Sequence, residues 1–193
     1  MELSNPKIDE IRKRCWDEAL FNYGTAYIFE QRAHYYRRLL RILTFLGIAV
    51  PITIGSIYLS FSNQTQLLNT SLVIAGTLGT VQLIGSAWSL SAKWEEAFGY
   101  ALESLNANQH LSSRFERLAQ FPPDNIDELQ IQFNMLVTEN SFRTEQDNKQ
   151  GISDKEKRKG MRAALRKFQR ACAGCKIVPT SMKSTTCDIC GNF

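Results

Sequence analysis

Four cysteines near the C-terminal end carry the clearest chemistry in this 193-residue chain. They stand as Cys172-Ala-Gly-Cys175 and Cys187-Asp-Ile-Cys190, with eleven residues between the pairs. A two-residue gap lets one tight turn offer two thiolates to one ion. A single pair of this kind could be a redox dithiol. Two pairs at close range, on a tail too small to hold a core, favour a metal that folds the tail. Four protein ligands leave no coordination position open for substrate, so the expected cofactor is structural zinc; an iron–sulfur cluster is the alternative. Gly174 and Gly191 are expected to supply backbone freedom in or beside the two knuckles. Lys176–Thr186 has the length of a short hairpin, which makes the tail zinc-ribbon-like.

No other catalytic constellation is present. Cys15 stands alone, and His34 and His110 fall on stretches that read as packing helices. There is no glycine-rich phosphate loop and no paired acids in a catalytic pattern. The chain is therefore expected not to be an enzyme. A second charged feature precedes the cysteines. From Asp154 to Lys176 nine bases face two acids, which dominates the net charge of +4. Arg158, Arg162, Arg166 and Arg170 fall four apart and read as a stripe on one helix face. That stripe could be solvated, meet anionic lipid headgroups, or hold nucleic acid. Without interleaved aromatic residues, sequence-specific RNA reading is not expected.

The elements that position these groups are helical. Ser4-Asn5-Pro6 is a helix-start signal. Ile8, Ile11, Cys15, Ala19, Tyr23, Ala26 and Ala33 then recur on one face of a long amphipathic helix. Trp94, Phe98, Ala101 and Leu105, then Leu111, Phe115 and Leu118, form a second face able to pack on the first as an antiparallel stalk. Phe121-Pro122-Pro123-Asp124 ends it. Ile126, Leu129, Phe133, Leu136 and Val137 give a short helix, and the polar Thr138–Gly151 reads as a linker. Ser153-Asp-Lys-Glu156 is a capping box that opens the basic helix.

Between these parts lies Ile42–Ala92, 51 residues without Asp, Glu, Lys, Arg or His. Two apolar runs, Ile42–Phe61 and Leu72–Leu90, flank a polar stretch from Ser62 to Ser71. About 20 apolar residues in a helix cover a hydrocarbon core of about 30 Å. A soluble helix usually carries a charged face at a period of 3.6 residues, and neither run has one. The fold class expected is thus an all-α membrane protein. It has a two-helix transmembrane hairpin, cytoplasmic amphipathic helices and a small four-cysteine tail. Arg32, Arg37, Arg38, Arg41 and Lys93 place both termini in the cytoplasm. The segments are 1–41 (N-terminal helix), 42–92 (hairpin), 93–151 (stalk and linker) and 152–193 (basic helix and zinc tail).

Within the hairpin, Pro51 is expected to kink the first crossing. In the second, Gly76, Gly79 and Thr80 allow close approach between helices. Gln82 is the costliest group to expose to lipid. It and Ser86 are candidates for a helix contact or a water-filled lumen, or they bond backbone carbonyls within one subunit.

The tail, from Phe168-Gln-Arg-x-Cys-Ala-Gly-Cys175 through Val178-Pro-x-Ser-Met182 to Cys187-Asp-x-Cys-Gly-Asn-Phe193, resembles the mobilome CxxCx(11)CxxC proteins of bacteria. The layout of the remainder (an N-terminal helix over Pro6–Arg41, a hairpin over Ile42–Leu90 and a long helix over Ser91–Gln120) is similar to the SLATT superfamily. That resemblance implies an oligomerising, pore-forming effector in the bacterial inner membrane, acting in defence or mobile-element conflict. It implies an upstream partner, often a nucleotide-signalling or sensor protein. The alternative is a membrane-anchored zinc module that holds nucleic acid or a protein. Only the four cysteines map onto the resemblance position by position.

Overall fold

The computed structural model describes residues 6–61 and 65–193, the side chains of 61–68 excepted. The expected start of the polar loop, Ser62–Gln64, lies outside the described residues, as does the cap at Ser4 and Asn5. Five helices follow in order: α1 (Pro6–Phe61), α2 (Thr65–Ser91), α3 (Trp94–Gln120), α4 (Ile126–Asn148) and α5 (Asp154–Lys167). No strand occurs among the described residues. The chain divides into two compact units: Met1–Gln31 with Ala101–Phe193, and Arg32–Tyr100.

The second unit holds the apolar runs. α1 continues through Pro51 without interruption, and α2 already starts at Thr65, where a polar loop was expected. Both helices are long and apolar enough to cross a membrane, with mean hydropathy of 2.0 and 1.3 over their most apolar windows. Those windows are 0% and 6% buried within the protein. The two helices touch in reverse order. Leu43 Cδ2 lies 3.4 Å from where a Gly85 Cβ would sit, and Gln82 Nε2 the same distance from a Gly47 Cβ. In the amide orientation that satisfies both groups, Gln82 donates to the Leu46 carbonyl and accepts from the Gly47 N–H, each at 3.2 Å. The expected continuation of α2 into α3 is broken. Lys93 adopts a left-handed φ of 52°, and its N–H closes back on the Leu90 carbonyl at 3.1 Å before α3 starts at Trp94.

The first unit is a helical bundle. Ile11, Cys15 and Ala19 of α1 pack with Phe115, Leu118 and Ala119 of α3 and Leu129, Phe133 and Leu136 of α4. The order is antiparallel, since Arg12 Nε donates to the Ala119 carbonyl and Ser112 Oγ to the Ala19 carbonyl, both at 2.9 Å. Each of the Ile, Leu and Phe side chains buried there contributes about 1.5–3 kcal/mol relative to exposure. Asn125 caps α4 by accepting from the Asp127 and Glu128 N–H groups, and Ser153 with Glu156 forms the capping box of α5.

Thr138–Gly151, read from the sequence as a linker, is instead mostly α4. Its polarity is spent inward. Asp147, 2% exposed, accepts from Ser104 Oγ and Asn108 Nδ2 at 2.7 Å and from Arg143 Nη2 at 2.8 Å. Arg143 also reaches Glu103 at 2.7 Å. With Arg143 Nε as a fourth donor at 3.1 Å, this buried carboxylate ties the polar half of α4 to α3.

Candidate metal centre

The four tail cysteines converge. All their sulfurs lie within 4.8 Å of one another, with Cys172 Sγ to Cys187 Sγ at 3.9 Å and Cys175 Sγ to Cys190 Sγ at 3.8 Å. A regular tetrahedron with metal–sulfur bonds of about 2.3 Å has edges of about 3.8 Å. The donor set and its spacing therefore fit one four-coordinate metal ion with no ligand missing. Cys172 and Cys190 are fully buried, while Cys175 and Cys187 are half-buried.

Two knuckles build the cluster. In the first, the Lys176 N–H donates to the Cys172 carbonyl at 2.9 Å and the Cys172 N–H to the Ile177 carbonyl at 3.1 Å. In the second, the Cys187 carbonyl accepts from the Gly191 and Asn192 N–H groups at 2.8 and 2.9 Å. Backbone N–H groups of Cys190 and Ile189 donate to the Cys187 sulfur and pull that thiol down to about 6. Burial, with the neighbouring thiols, pushes the Cys190 thiol up. A cation among the sulfurs would relieve exactly that cost. The isolated Cys15 differs: burial in the α1–α3–α4 core raises it to about 11, which makes it an inert apolar group.

The glycines act otherwise than expected. The left-handed residue of the first knuckle is Lys176, with φ 60°, whereas Gly174 and Gly191 have no positive φ. Gly191 is needed for space, because a Cβ there would fall 1.9 Å from Thr185 Oγ1. No hairpin forms between the knuckles either. The loop carries no strand, and it is pinned from outside by an arginine.

That arginine corrects the expected stripe. Arg162 is buried, and its guanidinium donates to the Ser181 carbonyl at 2.7 Å and the Cys190 carbonyl at 3.2 Å. Its Nη1 lies 3.9 Å from Cys190 Sγ. One turn earlier, Arg158 donates to the Asp188 carbonyl at 2.8 Å and the Asn192 carbonyl at 3.1 Å. α5 ends at Lys167, so Arg170 lies beyond the helix and pairs with Asp17 of α1. Of the four, Arg166 alone remains an exposed helical residue. The i,i+4 spacing thus serves to grip the second knuckle's carbonyls, and the positive charge stands beside the cysteine sulfurs.

The tail also shares a core with the bundle. Leu20 of α1 packs with Ala164 and Leu165 of α5 and with Cys172 and Cys190, and Tyr23 and Phe168 flank them. Sequence periodicity placed Tyr23 on the packing face of α1 but gave no sign that its partner was the metal centre. Leu20 was missed because it lies off the seven-residue pattern chosen for that face.

The hairpin candidates are not drawn together. Gln82 faces α1, Ser86 is half-buried, and Thr80 Oγ1 donates to the Gly76 carbonyl of its own helix at 2.8 Å. A Cβ at Gly76 or Gly79 would meet nothing within 4 Å. Of known families, one described as mobilome CxxCx(11)CxxC protein matches the chain over residues 12–193. No curated protein and no solved structure matches it.

Proposed function

This chain belongs to the mobilome CxxCx(11)CxxC proteins, and from that premise we propose that it is a non-enzymatic membrane effector of a mobile element. In this reading α2 and the apolar part of α1 form a transmembrane hairpin in the bacterial inner membrane. Both termini stay in the cytoplasm, and copies associate to open a narrow aqueous path. The SLATT-like layout of helices supports it. The observation that carries it is the near-complete exposure of both apolar windows, 0% and 6% buried. A soluble protein rarely leaves an apolar patch of more than a few hundred Å² uncovered, so lipid or another copy must cover these helices. The empty space around Gly76 and Gly79 gives a second helix room to approach closely. The bound metal is zinc in this proposal, held by Cys172, Cys175, Cys187 and Cys190 as a structural staple. Its chemistry is confined to neutralising and fixing four thiolates.

Ion leak from liposomes that contain the purified full-length chain tests the pore, with Gln82→Leu beside it. The Gln82 amide bonds α1 within one subunit, so a conducting state must release it. Leak in the wild type that Gln82→Leu reduces supports a path that uses this amide. Equal leak in both would make Gln82 a packing residue alone. No leak, even with the mobile element's partner proteins added, would favour the second reading, a membrane-anchored zinc module. In that reading the tail contacts a protein partner, because Arg158, Arg162 and Arg170 are already bound within the chain and offer little to nucleic acid.

A further inference from the structure

At one end of the apolar belt stand four bases, three on α1 and one at the α2–α3 break. Arg37, Arg38 and Arg41 of α1 are exposed, as is Lys93 at the α2–α3 break. Neither Arg38 nor Arg41 has an acidic partner among the described residues. Arg37 holds its guanidinium 5.6 Å from the Phe98 ring centroid, which ties α1 to α3, and Lys93 pairs with Glu96 at 3.0 Å.

Their depth follows from the helix contacts. Leu43 and Gly85 face each other and mark a common level. At about 1.5 Å per residue, Arg41 lies about 3 Å beyond that level, Arg38 about 8 Å, Arg37 about 9 Å and Lys93 about 12 Å. A headgroup layer is about 5–8 Å thick on each side of the hydrocarbon, and long basic side chains extend to reach it. Trp88, 65% exposed and about 4 Å beyond the same level, fits the boundary where interfacial aromatics gather. The apolar surface begins at once below, with Ile42 56% and Phe45 67% exposed. No charged residue occurs between Arg41 and Lys93 in the sequence, so the bases gather at this end of the apolar runs.

We propose that Arg37, Arg38, Arg41 and Lys93 form a binding collar for the phosphates of anionic phospholipids, which the protein gathers from the leaflet it faces. The assignment rests on the membrane reading above. Bilayer insertion alone needs no lipid preference. A collar centred on the exposed Arg38 and Arg41 guanidiniums creates one, since guanidinium donors match phosphate oxygens in pairs.

The test uses the full-length chain in vesicles of zwitterionic phosphatidylcholine containing one third phosphatidylglycerol. Either lipid is brominated in turn, and quenching of the protein's tryptophans reports which one sits at Trp88 and Trp94. Trp16 supplies a constant background. Flotation after a carbonate wash reports insertion independently. The collar predicts that brominated phosphatidylglycerol associates at least fivefold more strongly than its share of the lipid, at low salt. Arg38→Gln with Arg41→Gln should cut that preference at least about twofold, towards the lipid's bulk share, while flotation is unchanged. Both residues are exposed and without acidic partners, so folding does not depend on them. Equal quenching by the two lipids in floating wild-type protein would overturn the collar and leave the membrane reading intact. So would an undiminished preference in the double variant. Protein stripped from the vesicles by carbonate would overturn the membrane reading and the collar with it.

Discussion

Gly24 and Gly160 meet where α1 crosses α5: a Cβ built on Gly160 would lie 2.5 Å from the Gly24 carbonyl oxygen and 2.9 Å from Ile28 Cγ1. Neither glycine adopts a positive φ, so both are there for proximity. The crossing sets how closely α5, and with it the arginines that grip the second knuckle, can approach α1. Gly160→Ala is expected to push the helices apart and cost about 1–3 kcal/mol, the usual penalty of overpacking. A lowered midpoint in chemical denaturation of the detergent-solubilised chain would register it. An unchanged midpoint would mean that the crossing relaxes freely.

Arg162→Met should keep the aliphatic volume and leave the Ser181 and Cys190 carbonyls without their donor. Ser181 is exposed and water can replace its donor, whereas the buried Cys190 carbonyl left unsatisfied costs about 1–3 kcal/mol. The expected reading is faster metal loss to a competing chelator, by roughly tenfold, with helix content unchanged. Chelation at the wild-type rate would show that the knuckles hold their shape without the clasp.

Asp147→Asn removes the buried charge opposite Arg143, which also meets Glu103, 67% exposed in its side chain. Breaking a buried pair from one side costs about 3–5 kcal/mol. Thermal unfolding followed by circular dichroism should shift down by several degrees. Replacing both partners with apolar residues should restore much of the loss, because the cost lies in the stranded charge.

Cys187→Ser removes one of four ligands. Metal content per chain should fall well below one equivalent, and limited proteolysis should cut between Phe168 and Phe193. Chelation of the wild type should do the same and red-shift Trp16, whose ring meets Phe168 edge-on at 6.2 Å. Re-added zinc should reverse the shift. Trp16 emission that stays fixed after the metal has left would separate the tail's order from its metal.

The cysteine spacing, the capping box at Ser153 and the apolar runs were all legible in the sequence, because each is a local signal of fixed period or residue type. The antiparallel packing of α1 on α3 was legible for the same reason, through Cys15 and Phe115. What escaped was set by partners far along the chain. Arg143 and Asp147 looked like solvated polarity because Ser104 and Asn108, which complete their network, lie about 40 positions earlier. Arg158 and Arg162 looked like a free stripe because the carbonyls they bind belong to an irregular loop with no motif of its own. The tail therefore does not stand alone. Asp17, Leu20 and Tyr23 belong to its surroundings, and any binding assay needs the full chain.

The contact between Asp17 and Arg170 spans 153 positions. At about 5–20 residues per second, a ribosome needs roughly 8–30 s to travel from one to the other. During that interval the whole apolar segment emerges before the α3 and α4 partners of Ile11 and Cys15, and Leu20 waits longest, until Leu165, Cys172 and Cys190 arrive. In the membrane reading proposed above, the order of synthesis makes delivery to the bilayer precede completion of the bundle, and the face of α1 around Leu20 stays uncovered until the last knuckle has formed.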